Sequence, residues 1–84
     1  MTRLWPEGVP IEVTVDRGGQ PQRIVWQEQD HLVTHITRRW RVRSDWWREM
    51  VWRDYFKLIT DTGLLLIIYH DLRQQMWYVQ QLFD

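Results

Sequence analysis

The chain alternates, and period-two alternation narrows its choice of fold more than any other feature. In "VPIEVTV", Val9, Ile11, Val13 and Val15 fall on one side, with Glu12, Thr14 and Asp16 opposite. That is the pattern of a half-buried strand. "DRGGQ" follows, and Gly18-Gly19 is a hairpin signal. "QRIVWQEQ" is the expected return strand, with Ile24 and Trp26 inward and Asp30 closing it. "HLVTHITRRWRVR" alternates as well. Leu32, Thr34, Ile36, Arg38, Trp40 and Val42 share one side, and Val33, His35, Thr37, Arg39, Arg41 and Arg43 share the other. Trp40 and Val42 are expected on the core side. "TDTG" (residues 60–63) is a second turn signal, and "LLLIIYH" after it reads as a strand buried on both faces.

Two stretches fit either element. "SDWWREMVWRDYFKLI" makes a helical stripe of Trp47, Met50, Val51, Tyr55 and Leu58, capped by Asp45, or a strand with Trp52, Phe56 and Leu58 on one side. "DLRQQMWYVQQLF" places Leu72, Met76, Val79 and Phe83 at helical spacing, or Trp77, Val79 and Phe83 in a strand.

A chain of 84 residues makes one domain and buries only about 60–65% of its unfolded surface. It compensates with seven Trp, three Tyr and two Phe, each able to remove roughly 150–250 Å² from water. There is no Cys to staple the fold or bind metal. The longest apolar run, "LLLIIY", is six residues, against about 20 for a membrane span. No leader is visible in "MTRLWPEG", so a cytoplasmic protein with no membrane association is expected.

Net charge is zero, but residues 38–57 carry seven basic and three acidic side chains, +4 in all. Within them "RRWRVRSDWW" interleaves arginine with tryptophan. On a strand, Arg39, Arg41 and Arg43 stand about 6.7 Å apart, a row able to track phosphates or a partner's acids. Trp46 and Trp47 are adjacent and point opposite ways. One of them, with Trp52 or Tyr55, is expected as an exposed platform beside Arg48 and Arg53. Three uses fit this 38–53 face: a solvated basic surface, a protein-docking surface, or a single-stranded nucleic-acid surface. An exposed aromatic patch would also serve a homodimer.

Catalytic chemistry has little to draw on. Ser44 is the sole serine and "RGGQP" lacks the rest of a phosphate loop. His31 and His35 are about 13 Å apart on a strand, too far to share a metal ion, and "His70-Asp71" reads as a strand end. The expected chain is not an enzyme and holds neither metal nor cofactor. Asp54, unusual at a sheet position, is expected to pair with arginine or accept a bond from an indole N–H.

The C-terminal half, "DWW…RDYF…TGLLLIIYHD…MWYVQQLFD", resembles the tail of ImuB-type proteins, inactive homologues of Y-family DNA polymerases. The matching anchors are Trp46-Trp47, Arg53 to Phe56, Gly63, Tyr69 to Asp71, Trp77-Tyr78 and Phe83. The full length is also similar to small bacterial proteins with a "G-x-P" turn (Gly19 to Pro21) and a Trp-Arg pair (Trp40-Arg41) before that tail. The resemblance implies strands in both ambiguous stretches. It also implies an adaptor in SOS mutagenesis or translesion DNA repair, whose partner is a DNA polymerase or another mutagenesis-complex component. Glu49 and Met50 stand where relatives carry glycine, which keeps a helix open there. The expected fold is therefore all-β: about six short antiparallel strands in a meander, curled into a small, partly closed barrel. Residues 1–8 are a loose lead-in and 9–84 a single domain. The alternative is α+β, with a helix near 45–59.

Overall fold

The computed structural model describes residues 2–46 and 49–83, without the side chains of residues 45, 46 and 49. These residues form six strands: β1 (Arg3–Val15), β2 (Pro21–Trp26), β3 (Gln29–Trp46), β4 (Glu49–Thr60), β5 (Leu65–Asp71) and β6 (Met76–Phe83). Each pairs antiparallel with the next, and β6 returns to β1, so the sheet closes in a ring. The fold is all-β, as expected from the alternation together with the strands that the resemblance implies for the two ambiguous stretches. Residues 49–60 are a strand and so are 76–83, which removes the helical alternative for both stretches. Residues 3–8, expected as a lead-in, form the first half of β1: Arg3 pairs with Leu82 and Trp5 packs edge-on against Trp26. Among the described residues, no helix is long and apolar enough to cross a membrane.

Cross-strand partners share a face, so the register sorts the side chains. One inner rung runs Ile36, Leu58, Leu66 and Leu82, and the next runs Arg39, Phe56, Ile68, Val79 and Val9. Leu58, Leu66, Ile68 and Val79 are fully buried, as is Ile24 on β2. Each such side chain contributes roughly 1.5–3 kcal/mol by leaving water. A third inner rung, Arg41, Asp54, His70, Trp77 and Ile11, lies at one mouth of the ring.

The outer surface carries a ladder of rings: Trp40 on Tyr55, Tyr55 on Tyr69, Tyr69 on Tyr78, with centroids 5.2, 5.2 and 5.0 Å apart. That spacing matches the 4.7–4.9 Å between strands. Tyr55 and Tyr69 are nonetheless buried. The Arg53 guanidinium lies 4.5 Å from the Tyr69 ring, and Gly8 lies against Tyr69 and Tyr78.

Here the simple alternation fails, and Trp40 lies outside the core. β3 slips register between Val33 and His35 and again between Ile36 and Arg38. Each slip inserts one residue and moves everything after it to the other face. Val33, Ile36 and Arg39 therefore share the inner face, while Trp40 faces out with Tyr55. The inserted residues are threonines, whose hydroxyls donate to carbonyls of β4: Thr34 to Ile59 and Thr37 to Lys57, both 3.1 Å. Likewise Leu32 is exposed while His31 is buried opposite Ile24. A slip between Thr14 and Val15 leaves Val15 exposed, although it alternates with the inward Val13.

Candidate binding face

β3 and β4 outrun the rest of the ring. β5 covers β4 only as far as Arg53. Beyond it the hairpin continues as an arm to the pair Trp46 and Glu49. The β5–β6 turn touches the arm's edge: the Leu72 amide donates to the Trp52 carbonyl, and the Arg73 guanidinium to that of Met50, each at 2.9 Å.

The inner face extends onto this arm. Arg39, Arg41 and Arg43 stand in a row opposite Phe56, Asp54 and Trp52. Every second residue of a strand points the same way, so three arginines at a spacing of two must line up. Their environments differ. Arg41 Nε donates to Asp54 Oδ1 at 2.6 Å and Nη2 donates to Oδ2 at 2.9 Å. Arg39 reaches the same carboxylate at 3.4 Å and lies over Phe56 at 5.1 Å. The Arg43 guanidinium lies 5.5 Å from the Trp52 ring, a cation–π arrangement. Asp54 is the arginine-paired carboxylate expected for it. Its side chain is 8% exposed, while those of Arg39 and Arg41 keep 43% and 55% exposure.

The hydrogen bond from Arg41 holds the Asp54 carboxyl below its ordinary range, against the opposing effect of burial. A carboxylate so committed is a poor proton acceptor. His70, next along the rung, stacks on Trp77 with centroids 4.4 Å apart. Burial pushes its imidazole below the ordinary 6.5, despite the nearby Asp54 and Asp71. Arg39, Asp54, His70 and Trp77 line a cleft of about 470 Å³ at the mouth, with Gln75 and the β1–β2 turn opposite.

The expected site residues thus divide. Arg39, Arg41, Arg43 and Trp52 come together on one face. Arg53 and Tyr55 lie on the other: Arg53 Nη1 donates to the Tyr55 hydroxyl at 3.2 Å, and Tyr55 is buried within the ring ladder rather than exposed as a platform. Trp46 ends β3, and its side chain lies outside the described residues, as do Trp47 and Arg48 entirely. The sequence reading missed His70 and Trp77 as neighbours of the arginine row, since only pairing across β4, β5 and β6 brings them there. It also missed Arg38, whose guanidinium lies 4.8 Å from the Trp40 ring on the outer face.

The remaining histidines serve other ends of β3. His31 is buried, its Nδ1 2.6 Å from the Thr62 hydroxyl, which in turn lies 2.9 Å from that of Thr60. This network ties the β4–β5 turn to β3. His35 is exposed. Among the described residues, no group of three or more His, Cys, Asp or Glu is placed to hold a metal ion.

No family model matches the chain, and neither a curated protein nor a solved structure does.

Proposed function

We propose that the protein is a non-catalytic adaptor that docks the arginine-aromatic face of its β3–β4 arm onto a protein partner. The observation that carries this is the Arg43–Trp52 pair on an arm that outruns β5. Arginine and tryptophan are the side chains most enriched where protein interfaces concentrate their binding energy. Stacking on an indole holds a long side chain extended, so less freedom is lost on docking. The likeness of the C-terminal half to ImuB-type tails supports a partner in bacterial damage tolerance: a polymerase or another mutagenesis-complex component, met in the cytoplasm.

A second reading is single-stranded nucleic acid on the same face. The single-sided row of Arg39, Arg41 and Arg43 beside Trp52 favours it. Against it, Asp54 occupies two of the three guanidinium groups, and the buried tyrosines of the outer ladder offer no stacking platform.

Titration of labelled single-stranded DNA at two salt concentrations separates the readings. Affinity weaker than ~100 µM, or without salt dependence, rejects nucleic acid, because phosphate contacts release counterions. Affinity capture with the wild-type chain, measured against a chain carrying Arg43→Ala and Trp52→Leu, tests the adaptor. The adaptor reading fails if nothing is captured that the variant loses. Recovery of the chain alone, with sedimentation as a dimer, would make the face a self-association surface instead.

A further inference from the structure

The arm has an edge as well as a face. β3 is 18 residues long, yet β2 pairs only with its first four, Gln29 to Leu32. β4 pairs on the opposite side, from Val33 to Trp46. Among the described residues, no strand lies along the β2 side of β3 beyond Leu32. An edge of this length is a template for another strand, and folded proteins commonly blunt such edges with short strands, bulges or charge. Both bulges of β3 come before Arg38. From Arg38 to Trp46 the register is regular. A groove of about 660 Å³ runs beside residues 33–39, and its far wall is Asp16, Gln20, Pro21 and Gln22 of the β1–β2 hairpin. The start of the edge is therefore a walled slot.

We infer that this edge takes up an extended, acidic segment of a partner protein as an added strand. The inference rests on the docking reading above and names the partner's chemistry. Main-chain hydrogen bonds to β3 would supply register, and side chains of alternate residues would meet the face described above. Charge selects the occupant. Four arginines and no acid lie from Arg38 to Arg43. Although Asp54 pairs with Arg41 and, at 3.4 Å, with Arg39, one carboxylate against three arginines leaves the row net positive. A second copy pairing through the same edge would bring these arginines against their own kind, which is destabilising. A segment with glutamate or aspartate at alternate positions would meet them favourably, and complementary charge also speeds encounter.

The test uses the full chain and a short acetylated peptide alternating glutamate and valine. Its controls are the lysine-valine counterpart and two glutamate-valine peptides, one N-methylated at every glutamate and one at every valine, each lacking donors along one edge. Amide hydrogen exchange is followed residue by residue. The inference predicts that the acidic peptide slows exchange at alternate amides of Arg38 to Ser44 by about tenfold or more. It predicts that one of the two N-methylation registers abolishes this, and that the lysine peptide has no effect. Equal binding of both N-methylated registers would overturn edge pairing while leaving side-chain docking intact. Equal protection by the lysine peptide would overturn the charge selection. No protection by any peptide would overturn the inference alone, since the docking reading is judged by capture of its own partner.

Discussion

Arg41 grips Asp54 with two hydrogen bonds, Nε to Oδ1 at 2.6 Å and Nη2 to Oδ2 at 2.9 Å, directly across the β3–β4 ladder. Asp54 is buried and Arg41 is not. This asymmetry fixes what each substitution does. Asp54→Ala frees Arg39 and Arg41 to water, so it strands no buried charge and costs about 1–2 kcal/mol in chemical denaturation. Arg41→Ala leaves the buried carboxylate with Arg39 alone at 3.4 Å, and so lowers stability as well. A loss below half a kcal/mol for both would remove the pair from the account.

The same rung sets the response to acid. The carboxyl of Asp54 is held below its ordinary 3.8, so its stabilisation is complete above that value and is lost as pH falls through the lower folded value. His70 is held below its ordinary 6.5, so the unfolded chain takes up that proton first and stability falls as pH drops below 6.5. Thermal melts should therefore decline in two stages. His70→Gln should flatten the upper stage relative to wild type, and Asp54→Asn the lower. Parallel curves for all three chains would contradict both assignments.

Gly8 is irreplaceable for a steric reason. Its φ is +77°, and an added Cβ would sit 2.6 Å from the Tyr69 hydroxyl and 2.8 Å from Tyr78 Cβ. Tyr69 donates that hydroxyl to the Glu7 carbonyl at 3.1 Å, so it cannot swing away without breaking the bond. Gly8→Ala should cost roughly 2–4 kcal/mol, combining left-handed backbone strain with overpacking. A fall in the denaturation midpoint too small for 1 kcal/mol would show that the backbone of β1 at Gly8 yields easily.

The β2–β3 turn offers the opposite change. Gln27 and Glu28 both have positive φ, 52° and 65°, between the paired Trp26 and Gln29. Two-residue turns of this kind favour Asn-Gly. Gln27→Asn with Glu28→Gly should stabilise the chain by about 1 kcal/mol, read as a higher denaturation midpoint at unchanged slope. A lower midpoint would contradict the turn geometry.

Strand periodicity made much of this fold legible. Val9, Ile11, Val13, Ile24 and Trp26 turn inward as their alternation requires, and the Gly19 and Gly63 turns fall where the sequence marks them. The register slips were harder to read. Val33 and Ile36 both face the core three residues apart, and so do Val79 and Leu82, where β6 slips past β5. Apolar residues three apart within a strand are the trace a bulge leaves in a sequence. Missing that trace put Trp40 in the core and Leu32 beside it. Arg39, Arg41 and Arg43 lie beyond both slips and keep their spacing, but the row stands on the inner face with Phe56, Asp54 and Trp52, not on the side opposite the core where simple alternation places it. The mouth cleft was not legible, because His70 and Asp54 meet only through the β4–β5 register.

Quantitative capture from lysate, comparing the wild-type chain with the Arg43→Ala, Trp52→Leu chain at matched melting temperature, tests the docking face most directly. The account predicts a discrete protein that the wild type retains and the variant holds at least about tenfold more weakly. Equal retention of every captured protein by both chains would contradict it.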